Sequence, residues 1–138
     1  MAEVIKLLIT GSSGQLAQSF KTVESSVKAI DATYINKESL DISNKNALNE
    51  YFLNNQYDLI MNFAAYTAVD KAESNNYKAF NVNSSGVFNL VQVANEHDIF
   101  IIHISTDYVF DGKKKGAYTE DEATNPVNIY GKSKLEGE

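Results

Sequence analysis

Four short apolar runs, each joined to the next by a stretch of helical periodicity, constrain this 138-residue chain more than any other feature. The first, Val4-Ile5-Lys6-Leu7-Leu8-Ile9, has strand length and ends at Gly11. From Gln15 the period changes: Leu16, Phe20, Val23 and Val27 recur at three- and four-residue steps, which predicts one buried helix face. Residues 32–36 form a second, weaker strand. Ser43 is expected to cap a helix with Leu48, Tyr51 and Phe52 on its inner face. Residues 58–63 read as a third strand. A long helix follows, with Tyr77, Phe80, Val87, Val91 and Ala94 inward, and then a fourth strand at 100–105. Such alternation calls for parallel βαβ units with right-handed crossovers. The expected class is α/β, a Rossmann-like doubly wound parallel sheet.

Residues 107–128 form a long irregular connection holding the one proline, Pro126. Connections of that length inside a compact domain usually carry function or move. Helical pattern resumes near Tyr130 and is still running at Glu138. A doubly wound sheet ordinarily continues past four strands. The chain is therefore expected to be one domain, 1–138, truncated after the fourth strand and the start of a further helix, with a C-terminal part lying outside it.

Bulk properties remove several function classes. A net charge of −6 argues against non-specific nucleic-acid binding, which needs clustered cations, and Lys113-Lys114-Lys115 beside Gly112 and Gly116 reads as a solvated turn. No cysteine is present, so thiolate catalysis and cysteine-held metals are excluded. Two histidines, His97 and His103, are few for a zinc site, and His103 within an apolar strand reads as a hydrogen-bonded core residue. Glu120, Asp121 and Glu122 read as a charged loop, giving no metal site. No run approaches bilayer length, so no membrane contact is expected and a cytoplasmic location is the default.

Thr10-Gly11-Ser12-Ser13-Gly14-Gln15-Leu16-Ala17 sits between the first strand and the first helix. Glycines there let the backbone turn tightly and approach a pyrophosphate, whose charge meets free amides at the helix N-terminus. Gly11, Ser13, Gly14, Gln15 and Leu16 are thus candidate cofactor contacts, with Ala17 small where the helix must lie close to the sheet. Many dinucleotide sites place an acid at the end of the second strand to hold the ribose hydroxyls. Here the position reads Asn36-Lys37, a neutral residue and a cation, which leans slightly toward NADPH, or toward use of both NADPH and NADH. Asp41-Ile42 is the next candidate, on the adenine side.

Tyr130 and Lys134, four apart on a helix, project from one face. A phenol is a poor proton donor near neutrality until a neighbouring cation stabilises the phenolate. Thr106 follows the fourth strand, at the carboxyl edge where open α/β sheets bind ligands. Its hydroxyl is suited to a substrate carbonyl, with Tyr130 supplying the proton and Lys134 holding the nicotinamide ribose. Ser105 should point the other way if the strand persists that far.

The strings 105–112 (STDYVFDG), 118–126 (YTEDEATNP), 130–138 (YGKSKLEGE) and 67–73 (TAVDKAE) resemble, in order and spacing, the extended short-chain dehydrogenase/reductases. Within that branch they are most similar to the dTDP-4-dehydrorhamnose reductase (RmlD-like) family, over essentially the whole chain. The resemblance implies catalytic roles for Thr106, Tyr130 and Lys134, and sugar contacts for Thr106 and Asp107. It also implies pyrophosphate contacts at Gly14, Gln15 and Leu16, an adenine side at Asp41 and Ile42, and cofactor contacts at Ala64, Ala65, Tyr66, Thr67 and Ile104. The reaction implied is NAD(P)H-dependent reduction of the 4-keto group of dTDP-4-dehydro-6-deoxy-L-mannose, for surface polysaccharide. A dTDP-sugar substrate, a homodimer when full length, and Mg2+ bound by residues outside this chain are implied with it.

Two rival readings share these strings. One is another nucleotide-sugar epimerase or dehydratase, although Tyr108 stands where dehydratases add a second acid after Asp107. The other is a non-catalytic regulatory subunit like the β subunit of methionine adenosyltransferase, against which the intact Thr106/Tyr130/Lys134 set argues. Tyr66, Tyr108 and Phe110 are expected to be packing aromatics, and Asp70, Lys71 and Glu73 read equally well as pairs on a helix start or as solvated charges.

Overall fold

In the computed structural model, which describes residues 4–138, the four apolar runs become strands β1 (Ile5–Thr10), β2 (Ile30–Ile35), β3 (Leu59–Asn62) and β4 (Phe100–His103). All pair in parallel, in the order β2-β1-β3-β4. From β1 to β2 the sheet grows one way, and from β2 through β3 to β4 it grows the other. Right-handed crossovers then force α1 (Gln15–Glu24) onto one face and α2 (Lys45–Asn54) and α5 (Gly86–Glu96) onto the opposite one. Leu8, Ile60, Leu48, Phe52, Leu90 and Val93 fill the α2/α5 side, while Leu7, Ile9 and Ala17 with Phe20 and Met61 fill the α1 side.

Strand β4 ends at His103, two residues before the expected Ser105. Its neighbour β3 stops at Asn62, the register partner of His103, so the chain beyond has nothing to pair with. As an edge strand, β4 leaves Phe100 79% and Ile102 44% exposed.

Three local expectations are corrected. On α1 the buried contact is Ala17, with Phe20 beside it, whereas Leu16, Val23 and Val27 are exposed. A small residue must face the sheet so that the helix can start close to it, and one step of about 100° then turns Leu16 aside. Asn44, not Ser43, caps α2, accepting from the Ala47 amide at 3.1 Å. Ser43 instead donates its hydroxyl to Asp41 at 2.7 Å. The single long helix is broken into α3 (Val69–Ser74), α4 (Asn76–Phe80), a π turn (Asn81–Ser85) and α5. Asn75 leaves helical geometry between α3 and α4, with φ −135° and ψ 52°. The wide turn then resets the inner face to Asn83, Gly86, Val87 and Leu90, leaving Tyr77 78% exposed.

The segment after β4 makes one 3-10 turn (Asp107–Val109) and then runs irregularly to α6 (Ile129–Gly137). It is tied to itself. Asp111 accepts from the Tyr118 hydroxyl at 2.9 Å and from Asn125 Nδ2 at 3.2 Å, and the Phe110 and Tyr118 rings stack at 4.5 Å. Asn128 caps α6 by accepting from the Gly131 amide at 2.7 Å. A Cβ at Gly131 would land on the Tyr108 carbonyl, so a glycine here lets α6 press against that turn.

Candidate active site

The carboxyl ends of β1, β3 and β4 open into a cavity of about 670 Å3. Its rim begins with the turn after β1. Gly11 has φ +66°, and an added Cβ would lie 2.6 Å from the Ala64 amide nitrogen, so only glycine lets these two loops meet. Gly14 leads into α1 without a side-chain cap, and the first turn carries no acid. The amides of Gln15, Leu16 and Ala17 precede the first intrahelical bond, from Gln18 to the Gly14 carbonyl. Such free amides at a helix N-terminus suit an anion, and they lie where the sequence reading expects a pyrophosphate.

Gly11, Ser13, Gly14, Gln15, Leu16, Lys37, Asp41, Ile42, Ala64, Ala65, Tyr66, Thr67, Ile104, Tyr130 and Lys134 all line this one cavity. Sequence reasoning named each of them. Asn36, Thr106 and Asp107, also named, lie outside the lining. Asn36 closes the turn after β2, its side chain accepting from the Ser39 amide at 3.0 Å. Thr106 caps the 3-10 turn, accepting from the Tyr108 amide at 3.2 Å, and donates to Asp107 at 3.3 Å. Ser105 lines the cavity instead, because β4 ends before the alternation reaches it.

Charge within the cleft is mixed. Lys37, Lys78 and Lys134 line it together with Glu38 and Asp41. Lys37 Nζ lies 3.6 Å from Asp41. Partial burial works to raise the Asp41 carboxyl, but hydrogen bonds from Ser43 and the Lys37 cation outweigh it and hold the group below the usual carboxylate range. Lys134 is the unusual member: it is 2% exposed, and its ammonium donates to the Ile104 carbonyl. Burial lowers its pKa, while Glu138 partly offsets that. The Tyr108 ring meets Tyr130 edge-on at 5.5 Å, fixing the phenol's orientation.

One structural residue escaped the sequence reading. Asn83, in the π turn, accepts from the Tyr66 amide at 2.8 Å, donates to the Tyr66 carbonyl at 3.0 Å, and donates to Ser133 Oγ at 3.0 Å. It clamps the loop after β3 to the helix bearing Tyr130 and Lys134. The signal was available in Asn81-Val82-Asn83-Ser84-Ser85, a polar stretch inside an otherwise apolar helix.

A polar chain crosses the sheet beneath the cleft. Thr10 Oγ1 donates to Asn62 Oδ1 at 2.7 Å, and Asn62 Nδ2 meets His103 Nδ1 at 3.0 Å. Burial first, and the Lys134 cation second, push the His103 pKa down from 6.5 to about 4. The unfolded chain therefore takes up a proton through a range where the folded protein refuses it. The stability this group contributes is full above pH 6.5 and should fall as the pH drops toward 4, by on the order of 1–3 kcal/mol across that window. Unfolding free energies of wild type and His103→Asn, measured over the same range, should converge as pH falls. A pH-independent gap would contradict this.

Among the described residues no three His, Cys, Asp or Glu side chains cluster as a metal site, and Glu122 pairs with Lys114. No helix among them is long and apolar enough to cross a membrane.

The model of the RmlD substrate binding domain family matches residues 5–138. A dTDP-4-dehydrorhamnose reductase of Sinorhizobium fredii is 40% identical over 97% of this chain and 45% of its own length. The solved structure of a dTDP-4-dehydrorhamnose reductase from Clostridium acetobutylicum superposes with a TM-score of 0.92 at 40% identity, over 96% of this chain and 47% of that one. That of a Bacillus anthracis dTDP-4-dehydrorhamnose reductase in complex with NADP gives 0.92 at 33% identity, over 97% and 47%. The chain spans about half the length of the relatives it matches. A family model matched over residues 5–138, with a relative 40% identical over 97% of the chain, means that the chain belongs to the RmlD substrate binding domain family.

Proposed function

We propose that this chain carries the NAD(P)H-binding and proton-transfer machinery of a dTDP-4-dehydrorhamnose reductase, which converts dTDP-4-dehydro-6-deoxy-L-mannose to dTDP-L-rhamnose. One observation carries the reading: the glycine turn, Tyr130 and Lys134 line a single cavity at the carboxyl edge of a parallel sheet. NAD(P)H, when bound, supplies a hydride for C4 of the sugar. Tyr130 gives the proton to the carbonyl oxygen, leaving a hydroxyl. Lys134, held by the Ile104 carbonyl, supplies the positive charge that stabilises the phenolate left behind. The amides at the start of α1 take the pyrophosphate. Thr106 and Asp107, on the turn after β4, receive the sugar, and Ser105 offers a second hydroxyl on the cavity wall.

The test is oxidation of NAD(P)H on addition of the dTDP keto-sugar, by the protein that carries this chain, with Tyr130→Phe as control. Substrate-dependent oxidation that the control loses supports the reading. Absence of oxidation despite cofactor binding would sink it and favour a regulatory role.

Cofactor preference turns on Lys37. Lys37 lines the cavity and its side chain is 59% exposed, leaving the ammonium free to exchange Asp41 for a 2′-phosphate. Lys37→Ala should weaken NADPH binding about tenfold and NADH binding by less than about twofold. Equal losses, read by cofactor fluorescence, would remove Lys37 from that role.

A further inference from the structure

The reaction proposed above makes no use of His103, the one titratable side chain on the α5-facing side of β4. Three features single it out. Asn62 Oδ1 is already occupied as an acceptor, by Thr10 Oγ1 at 2.7 Å and by the Ala64 amide at 3.2 Å. Asn62 must therefore present its Nδ2 hydrogens to His103 Nδ1, 3.0 Å away. The ring nitrogen is then an acceptor and the proton sits on Nε2, the neutral tautomer. Turning the Asn62 amide over would leave the Ala64 amide without this acceptor. Next, Ile104, the residue after His103, supplies the carbonyl that accepts from Lys134. Finally, His103 Nε2 is buried with no partner among the described residues, so the ring is kept where only one of its two nitrogens is bonded. A histidine serving packing alone would more cheaply be a phenylalanine or leucine.

We propose that His103 is a positioning residue for Lys134: by accepting from Asn62 it ties the end of β4 to β3 and β1, and so fixes the Ile104 carbonyl that anchors the ammonium. The bonded path is continuous. It runs from Thr10 on β1 through Asn62 on β3 to His103 on β4, then one peptide along to the carbonyl under Lys134. Ala64, whose amide joins the same Asn62 oxygen, is itself in the cavity wall. One bridge thus sets both the cleft floor and the cation above it. The inference rests on the assignment of Lys134 to cofactor and proton transfer only for its consequence, not for its geometry.

Two variants separate the bond from the ring. His103→Asn keeps an acceptor near the Nδ1 position, whereas His103→Phe keeps the ring and removes the acceptor. The readout is proton exchange of the Lys134 ammonium by 15N NMR on this chain, which needs no cofactor. His103→Phe should speed that exchange at least about tenfold, and His103→Asn should restore it to within about threefold of wild type. Affinity for NAD(P)H should follow the same order. Equal exchange in all three proteins would overturn the inference, as would failure of Asn to rescue. If the Phe variant does not fold, the wild-type imidazole decides: 15N shifts reporting Nδ1–H or a charged ring at neutral pH overturn it, and Nε2–H with slow Lys134 exchange supports it. Failure of wild type to bind either reduced cofactor would sink the proposed function while these readings still judge His103.

Discussion

Lys134→Met is expected to abolish turnover while leaving the protein as stable as wild type or more so. Lys134 is 2% exposed, and its ammonium has a neutral backbone carbonyl as partner. Taking an ammonium out of water costs several kcal/mol, and one carbonyl returns only part of that. Burial already shifts the group toward its neutral form. A methionine fills nearly the same volume without a charge to desolvate, so unfolding should become about 1 kcal/mol harder. On the role proposed for Lys134 above, turnover should fall by about two to four orders of magnitude. A function-bearing residue that opposes folding is the usual trade between stability and activity. Chemical denaturation and an oxidation assay on the same preparation check both halves. A loss of more than about 2 kcal/mol would mean that the lysine holds the fold together.

Gly11→Ala is expected to damage fold and cofactor binding at once. The left-handed backbone at φ +66° costs a non-glycine residue about 1–2 kcal/mol. The larger part is steric: the new methyl would sit 2.6–2.7 Å from backbone atoms of Phe63 and Ala64, and no side chain can move aside to make room. The loops after β1 and β3 must part, which opens the cavity floor. A total loss of about 3 kcal/mol or more in unfolding free energy, together with loss of NAD(P)H binding, should follow. Gly112→Ala is the internal control, with φ +71° but nothing within 4 Å of the added atom. It should cost only the backbone part. Similar losses at the two glycines would show that crowding at the cleft is not what Gly11 relieves.

Pattern and local chemistry were sufficient for much of this protein. Apolar runs of strand length, alternating with helical periods, determine a parallel α/β sheet because each strand must be covered on both faces and each crossover has one favoured hand. The glycine turn and the Tyr130/Lys134 spacing were legible for the same reason: each is a short-range device, whose geometry is set within one turn or one helix. Long-range packing decided the rest. Helix α1 turned on Ala17 rather than on its larger apolar residues because the sheet demanded close approach there. A polar clamp centred on Asn83 reads from sequence as an interruption of helix, since its partners Tyr66 and Ser133 lie 17 and 50 residues away. Likewise His103 looks like an ordinary core histidine until Asn62 and Lys134 are beside it. What a residue bonds across the sheet depends on which strands stop where, and that is fixed only when β3 and β4 pair.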